Sequence, residues 1–593
     1  MRKHPAALTA AAAALLVFFA VTFAYPLSRM LAQITPEGAA AVFSSTIFRR
    51  AVGSSCLSGA LTVLFALPLA MLMALLTEST RVRCRALWRG IFVLPMLLPS
   101  VSQGTGLVLL LGTNGLLTRG LCLPGSIYGL QGIVLGQVLY TAPIAYLLLA
   151  NLLRYRSRSP YDAARLAGVP PLFRWSGITL PFLRKELLAA AFLVFSLSVT
   201  DYGIPLAVGG KVKTLASVMY SSVVGQLDFG RDCVIGLLLL IPALCSSVFE
   251  LLAPRRWVVS AARRPAEPPE NPRRDRWALL LCALTALLFV LPVLAFTGTM
   301  FMEKYPVQTT LTLRHLREFW TPQVRAGLRN SVLLGLGTAA VGTALTAAAA
   351  LVTARYANRA ARWVHTLSVL LMAVPGLVLG LSFRLAFKGT ALYGTVWILI
   401  LAGVLHFFTT PYNLLYQSLQ KLSSELESVG STLGIPPLRL IFDVLLPQCA
   451  GTLADMAAYF FVSSTVTISA AAFLSTASTR PLALLVVQYS DQLNLSGAAY
   501  LSFLILAVNL LARAAALVRR LVRRYKSRLT RWRIHGTISL SPGSGSDRRT
   551  HNSFYRSAGK DPLRAKRRGT DDAALSPRPR YAASIPSAER QEG

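Results

Sequence analysis

Acidic residues are scarce in this chain. Across 593 residues there are 24 Asp and Glu against 60 Lys and Arg, and all charged residues together make up 14%. Ordinary soluble domains carry about 25% charged residues, so this composition, with 54% hydrophobic residues, excludes that class. The 7 cysteines include no C-x-x-C pair, and the 6 histidines are dispersed, which argues against a disulfide framework, a zinc site or any other resident metal. His365 and His406 lie at or inside apolar runs, where packing or a helix-helix hydrogen bond is the expected role. Catalytic motifs are missing too: there is no H-E-x-x-H and no G-x-S-x-G. Gly209-Gly210-Lys211 lacks the spaced upstream glycine of a phosphate-binding loop and has Val212 where Ser or Thr is required. The chain is therefore expected to be no enzyme, to bind no cofactor and to hydrolyse no ATP of its own. The net charge of +36 lies in clusters between apolar runs rather than on one folded face, which fits positive-inside membrane topology and not nucleic-acid binding.

What is present is a series of apolar runs. Twelve are expected to span a bilayer, at residues 6–27, 51–77, 90–111, 128–152, 187–207, 233–253, 277–299, 330–353, 364–386, 392–416, 452–474 and 496–518. Each is about 20 residues, enough to cross roughly 30 Å of hydrocarbon at 1.5 Å per residue. The first exceeds the apolar core of about 7–15 residues found in a signal peptide, so it is expected to remain as a span. Arg81, Arg83, Arg85 and Arg89 follow the second span, and Arg154, Arg156, Arg158, Arg165, Arg174, Arg184 and Lys185 follow the fourth. Both connections are thereby expected in the cytoplasm, with both termini on the same side. The outer connection 300–329 carries Lys304, Arg314, Arg317, Arg325 and Arg329, and has room for an amphipathic surface helix. Residues 254–276 are rich in Pro and Arg and read as a solvated linker. Residues 519–533 hold eight basic residues and no acid, and 534–593 have low hydrophobicity, so 519–593 is expected to be a disordered cytoplasmic tail. Its basic start is expected to lie on anionic inner-leaflet lipid, at about 1 kcal/mol per basic residue. The chain thus divides into a first half (1–253), a linker (254–276), a second half (277–518) and a tail (519–593).

One stretch occurs twice. Gly168, Pro170, Pro171, Leu172, Leu180 and Pro181 recur 266 residues later as Gly434, Pro436, Pro437, Leu438, Leu446 and Pro447. Each copy reads as a short polar helix, a Gly-x-Pro-Pro break and an amphipathic stretch ending in Leu-Pro, which is a helical hairpin outside the bilayer. Pro99 and Pro375, and Ser54-Ser55 and Asn330-Ser331, repeat at an offset of 276. The difference corresponds to about ten extra residues in the outer loop Gly112 to Ser126 of the first half. Two homologous six-helix halves account for both offsets, with a route for solute at their interface.

The doubled stretch resembles the signature cytoplasmic loop of permease subunits of bacterial ATP-binding-cassette importers: Glu-Ala-Ala, three residues, Gly, and a later Leu-Pro. Asp162-Ala163-Ala164-x-x-x-Gly168 follows this EAA motif with Asp for Glu, whereas the second copy has Ser428-Val429-Gly430, with Glu427 one residue earlier. The resemblance implies an all-α integral membrane protein of about twelve transmembrane helices, the type I importer permease fold, in a bacterial inner membrane. It implies coupling loops at 154–185 and 420–450 that seat on two copies of a cytoplasmic ATPase, which would use the ATP. Carried over by position, Asp162, Ala163, Ala164, Gly168 and Pro181 make the first contact, and Ser428, Val429, Gly430, Gly434 and Pro447 the second. A separate extracytoplasmic solute-binding protein is the other implied partner.

Polar residues at bilayer depth are costly and mark candidate pathways. Ser198, Asp201 and Tyr202 in the fifth span, with Ser464 and Thr467 in its counterpart, are the candidates for the substrate path. Back-bonding to the helix is the competing role for each hydroxyl. Asp201-Tyr202-Gly203-Ile204-Pro205, Gly209-Gly210 and Leu227-Asp228-Phe229-Gly230 are similar to the ferric-iron, polyamine, thiamine and aminoethylphosphonate branch of these permeases. A small hydrophilic solute, ferric iron first among these, is the expectation. An ion-coupled secondary transporter is the alternative; it calls for buried acids, and the spans offer few, with Asp201 and Asp455 near span ends.

Overall fold

The computed structural model describes residues 6–122, 126–154, 156–157, 159–225, 229–252, 268, 270–305, 308–355, 358–423 and 425–538. Arg158, Leu227, Asp228, most of the 254–276 linker and residues 539–593 of the expected tail lie outside that set. Apart from one antiparallel pair of short strands, Met302–Lys304 with Gln308–Leu311, the regular structure among the described residues is helical.

Seven helices are long and apolar enough to cross a membrane, and eleven segments qualify if each bent pair is one span. The remaining expected span, 187–207, contains the helix Leu180–Thr200, which carries Arg184, Lys185 and Glu186 in its second turn. The third span of each half is not straight. Arg85–Leu97 meets Ser100–Gly120 at 100°, and Arg359–Ala373 meets Gly376–Phe387 at 109°. The cause is the repeated proline. A proline forces the preceding residue out of the helical region, and Leu98 (φ −121°, ψ 149°) and Val374 (φ −99°, ψ 109°) are extended accordingly.

The fifth spans end early as well. Leu180–Thr200 stops at Asp201 and a short helix Gly203–Val208 follows; Ala450–Val466 stops at Thr467 and Ser469–Leu474 follows. The piece beyond each break packs on its counterpart, Ser100–Leu111 on Gly203–Val208 and Gly376–Phe387 on Ser469–Leu474. Small residues allow that approach: a Cβ on Gly104 would lie 2.8 Å from Ala207 Cβ, and one on Gly380 would lie 2.8 Å from the Ala470 carbonyl oxygen.

The halves share individual bonds. Ser55 accepts a hydrogen bond from the Leu215 N–H at 2.7 Å, and Ser331 accepts one from the Leu482 N–H at 2.8 Å. Thr77 and Tyr146 hydroxyls lie 3.3 Å apart, and Thr353 and Tyr412 hydroxyls 2.9 Å apart. Gly59 faces the Phe195 ring as Gly335 faces the Phe461 ring.

Each half also lends its first span to the other. Buried residues of the N-terminal helix, among them Leu15, Phe19 and Met30, belong to the core built mainly from the second half, and Phe19 meets Phe408 edge-on at 5.4 Å. Ala278, Cys282 and Phe289 of Pro272–Gly298 are buried in the core of the first half. The final span joins in: Asn509 donates to the Leu97 carbonyl at 3.1 Å, and Ser102 and Ser502 hydroxyls are 2.9 Å apart.

Three expectations about boundaries change. Pro272–Gly298 begins five residues before 277, N-capped by Asn271, whose side chain accepts from the Arg274 N–H. The loop 300–329 holds the strand pair and a four-residue helix, His315–Glu318, instead of a longer surface helix. The Tyr305 hydroxyl donates to the Leu109 and Asn114 carbonyls at 3.1 and 2.8 Å, tying that loop to the end of Ser100–Leu111. The last helix runs from Leu495 to Ile538, past the expected start of a disordered tail at 519. No proline interrupts that stretch, and Leu, Arg and Lys are good helix formers.

A Cβ on Gly335 would stand 2.7 Å from the Phe461 ring, whereas one on Gly53 would meet nothing within 4 Å. Gly335→Leu should therefore cost about 1–3 kcal/mol by overpacking and lower the thermal midpoint of the detergent-solubilised protein. Gly53→Ala should leave the midpoint unchanged or raised.

Candidate functional site

Both copies of the repeated stretch fold into the same hairpin. In the first, the helix Ser159–Leu166 is closed by Ala167 N–H on Ala163 O at 3.0 Å and Val169 N–H on Ala164 O at 3.0 Å, with Gly168 at φ +70°. In the second, Glu425–Thr432 is closed by Leu433 N–H on Val429 O at 3.0 Å and Ile435 N–H on Gly430 O at 2.9 Å, with Gly434 at φ +68°. A left-handed residue satisfying the last carbonyls is the standard reason for glycine just after a helix. Pro171–Arg174 and Pro437–Leu440 then restart the chain, each followed by one π-helical turn, Trp175–Thr179 or Ile441–Leu445.

Asp162, Ala163, Gly168 and Pro181 are exposed and Ala164 is half-buried. Ser428, Val429, Gly434 and Pro447 are exposed, but Gly430 is buried, its Cβ position 3.3 Å from the Leu440 side chain. Gly430 thus holds the hairpin together rather than facing outward. The hairpins also expose large apolar side chains. Leu166 is 91% exposed and Leu172 74%; Leu433 is 69% exposed and Leu438 51%.

Sequence reasoning missed how the second hairpin is tethered. Arg355, at the end of Pro322–Arg355, forms an ion pair with Glu427 at 3.2 Å, with only 7% and 21% of the two side chains exposed. The same guanidinium donates to the Leu419 and Leu422 carbonyls at 2.7 and 3.3 Å. Glu427 is the acid that precedes the motif position by one residue, and it is turned inward. The matching positions in the first half are Ser79 and Tyr161. Tyr161 is held instead by a 3.2 Å hydroxyl contact with Thr179, with Arg156 5.0 Å above its ring.

The proposed path residues cluster at the breaks of the fifth spans. The Asp201 carboxylate accepts from the Ile204 N–H at 3.1 Å, and is also hydrogen-bonded to the Ser100 side chain and the Gly203 N–H. It therefore caps Gly203–Val208 and joins the two breaks of the first half. Thr467 stands in its place in the second half, 3.3 Å from the Ser469 hydroxyl. Asp201 and Thr467 are half-buried. Tyr202 is buried and stacked on Tyr220 at 4.4 Å. Ser198 and Ser464 are each 1% exposed and sit within helix contacts. Gln137 donates to the Ser198 carbonyl at 2.8 Å and accepts from Thr62 at 3.0 Å, while Ser464 back-bonds to Phe461 O at 3.1 Å. Among the described residues, no three His, Cys, Asp or Glu side chains come together as a metal site.

Residues 66–258 and 342–527 each match the family described as "Binding-protein-dependent transport system inner membrane component". The chain belongs to this family. The two matches begin 276 residues apart, at 66 and 342, the same offset that relates Pro99 to Pro375. The permease is 27% identical over 428 residues to the ferric transport system permease protein FbpB of Actinobacillus pleuropneumoniae, covering 69% of this chain and 62% of that one. It is 30% identical over 367 residues to the thiamine transport system permease protein ThiP of Brucella abortus, covering 58% and 63%. It is 29% identical over 168 residues to a spermidine/putrescine transport system permease protein PotC homolog of Mycoplasma pneumoniae, covering 28% and 57%. The permease thus spans less than two thirds of the length of each of these relatives. Family membership and the apolar helices make it a multi-pass inner-membrane protein.

Glu427→Gln leaves the Arg355 charge without its partner, at a cost of about 1–3 kcal/mol for a pair still reached by water. Amide exchange in Glu425–Thr432 should rise while that in Ser159–Leu166 stays unchanged; equal protection in variant and wild type would show that the ion pair does not hold the second hairpin.

Proposed function

We propose that this permease forms the complete translocation path of an ATP-driven importer for a small hydrophilic solute, with ferric iron as that solute. A cytoplasmic ATPase docks under each hairpin, both termini are cytoplasmic, and an extracytoplasmic binding protein delivers the solute. ATP is bound and hydrolysed by the partner; the permease converts the approach of two ATPases into rocking of its halves about the central path. The observation that carries this reading is the pair of matched hairpins, each presenting exposed leucines: Leu166 and Leu172 on one, Leu433 and Leu438 on the other. Apolar side chains exposed at matched places on both hairpins fit a groove that would receive them. Asp201 and Thr467, half-buried at the two breaks, are proposed to line the path beside Tyr202, Ser198 and Ser464. Similarity to ferric transport permeases supports iron, and the 30% identity to a thiamine permease supports thiamine as the second reading.

Nothing lies within 4 Å of a Cβ at Gly168 or Gly434, so an arginine there meets only backbone strain of roughly 1–2 kcal/mol. The double variant G168R/G434R should reach the membrane at the wild-type level yet lose both the co-purified ATPase and uptake of radiolabelled ferric iron. Retained ATPase would overturn the docking reading. Wild-type uptake of thiamine but not iron would replace the solute.

A further inference from the structure

The two halves carry the same frame around different contents. In the first half, Gln137 fills the space between two helices by bonding Thr62 and the Ser198 carbonyl at 3.0 and 2.8 Å. The corresponding residues of the second half are Thr338, Gly403 and Ser464. Gly403 occupies the place of Gln137: a Cβ on it would lie 3.2 Å from Thr338 Oγ1 and 3.9 Å from Ser464 Cβ. The neighbouring pairs shrink in the same sense, Ile204 to Ala470 and Pro205 to Ala471.

The result is a cleft beside Gly403 that admits a water-sized group, lined also by His406, Ser464, Thr467 and Ala471. One polar atom of the lining residues, His406 Nδ1, lacks a hydrogen-bond partner among the described residues, and Thr338 Oγ1, also without one, lies behind Gly403 on a residue with 0% exposure. A buried polar atom left without a partner is destabilising, so a cleft that ends on the His406 imidazole is built to receive a polar group. His406 and Thr467 are half-buried, and Thr467 is the counterpart of Asp201, so the cleft opens toward the proposed path.

We propose that this cleft is a solute-facing subsite confined to the second half. It accepts one hydroxyl- or water-sized polar group, from the solute or its hydration shell, against His406 beside Gly403, and Gln137 keeps the equivalent place in the first half closed. The subsite rests on the permease reading, but its test needs neither the solute nor a partner.

The test uses the full chain in membranes, with its seven native cysteines replaced by alanine and either Ser464→Cys or Ser198→Cys introduced. Silver ion, a thiol probe small enough for the cleft, is applied, and capped thiols are counted as those that no longer alkylate after denaturation. The S464C thiol should be capped about ten-fold faster than the S198C thiol, because close packing excludes the probe from the filled half. Adding G403Q should slow capping at S464C to the S198C rate, and adding Q137G should raise the rate at S198C. Equal rates at the two single positions would overturn the proposal, as would indifference of S464C to G403Q or of S198C to Q137G. Because silver reports access alone, absent iron uptake would count against the proposed solute and not against the cleft.

Discussion

In hydrocarbon every backbone donor and acceptor must be satisfied within the protein, and that requirement shapes each half of this permease. Two breaks recur in both halves, one after Leu98 or Val374 and the other at Asp201 or Thr467, and the second half adds a bend of 54° between Val396–His406 and Thr409–Gln420. A break frees backbone groups that lipid cannot satisfy. The structure meets this by burying the piece beyond one break against the piece beyond the other. Side chains do the remaining capping: Asp201 takes the Ile204 N–H, and Ser55 and Ser331 take the N–H groups of Leu215 and Leu482. Breaks in a spanning helix are tolerated where the backbone lies in protein or lines a cavity, and so the breaks coincide with the candidate path.

Much of this was legible in the chain. The six-position repeat foretold the two hairpins down to the left-handed glycines Gly168 and Gly434, because only glycine suits that backbone. Ser55 and Ser331 were visible as a repeated position, but neither serine announces which N–H it accepts. Pro99 and Pro375 were visible as a repeated pair, but a hydropathy run does not disclose a bend of 100° or 109°. The exchange of first spans between the halves was not legible at all. Any apolar helix can pack on any apolar face, and the choice is made by shape, as where Phe19 meets Phe408. Glu427 was noticed as an acid out of register; its partner Arg355 is 72 positions away in sequence (427 less 355) and nothing local links them.

The halves keep common scaffold bonds while diverging at the span breaks and at the hairpins. Gln137 against Gly403, and Asp201 against Thr467, alter the lining without disturbing the helices that carry it. The second hairpin is tied to its span by Arg355 and Glu427, whereas the first is held through Tyr161, Thr179 and Arg156. A fused chain is free to diverge in this way because each half meets its partner in one fixed arrangement.

The account stands on the claim that both hairpins receive an ATPase. Its most direct test is cross-linking from cysteines introduced at Leu172 and Leu438, both exposed and related by the repeat, in membranes containing the assembled transporter. The account predicts an adduct with the same ATPase subunit from each position, and a product carrying two ATPase copies when both cysteines are present. A chain that links to no ATPase from either position would contradict it.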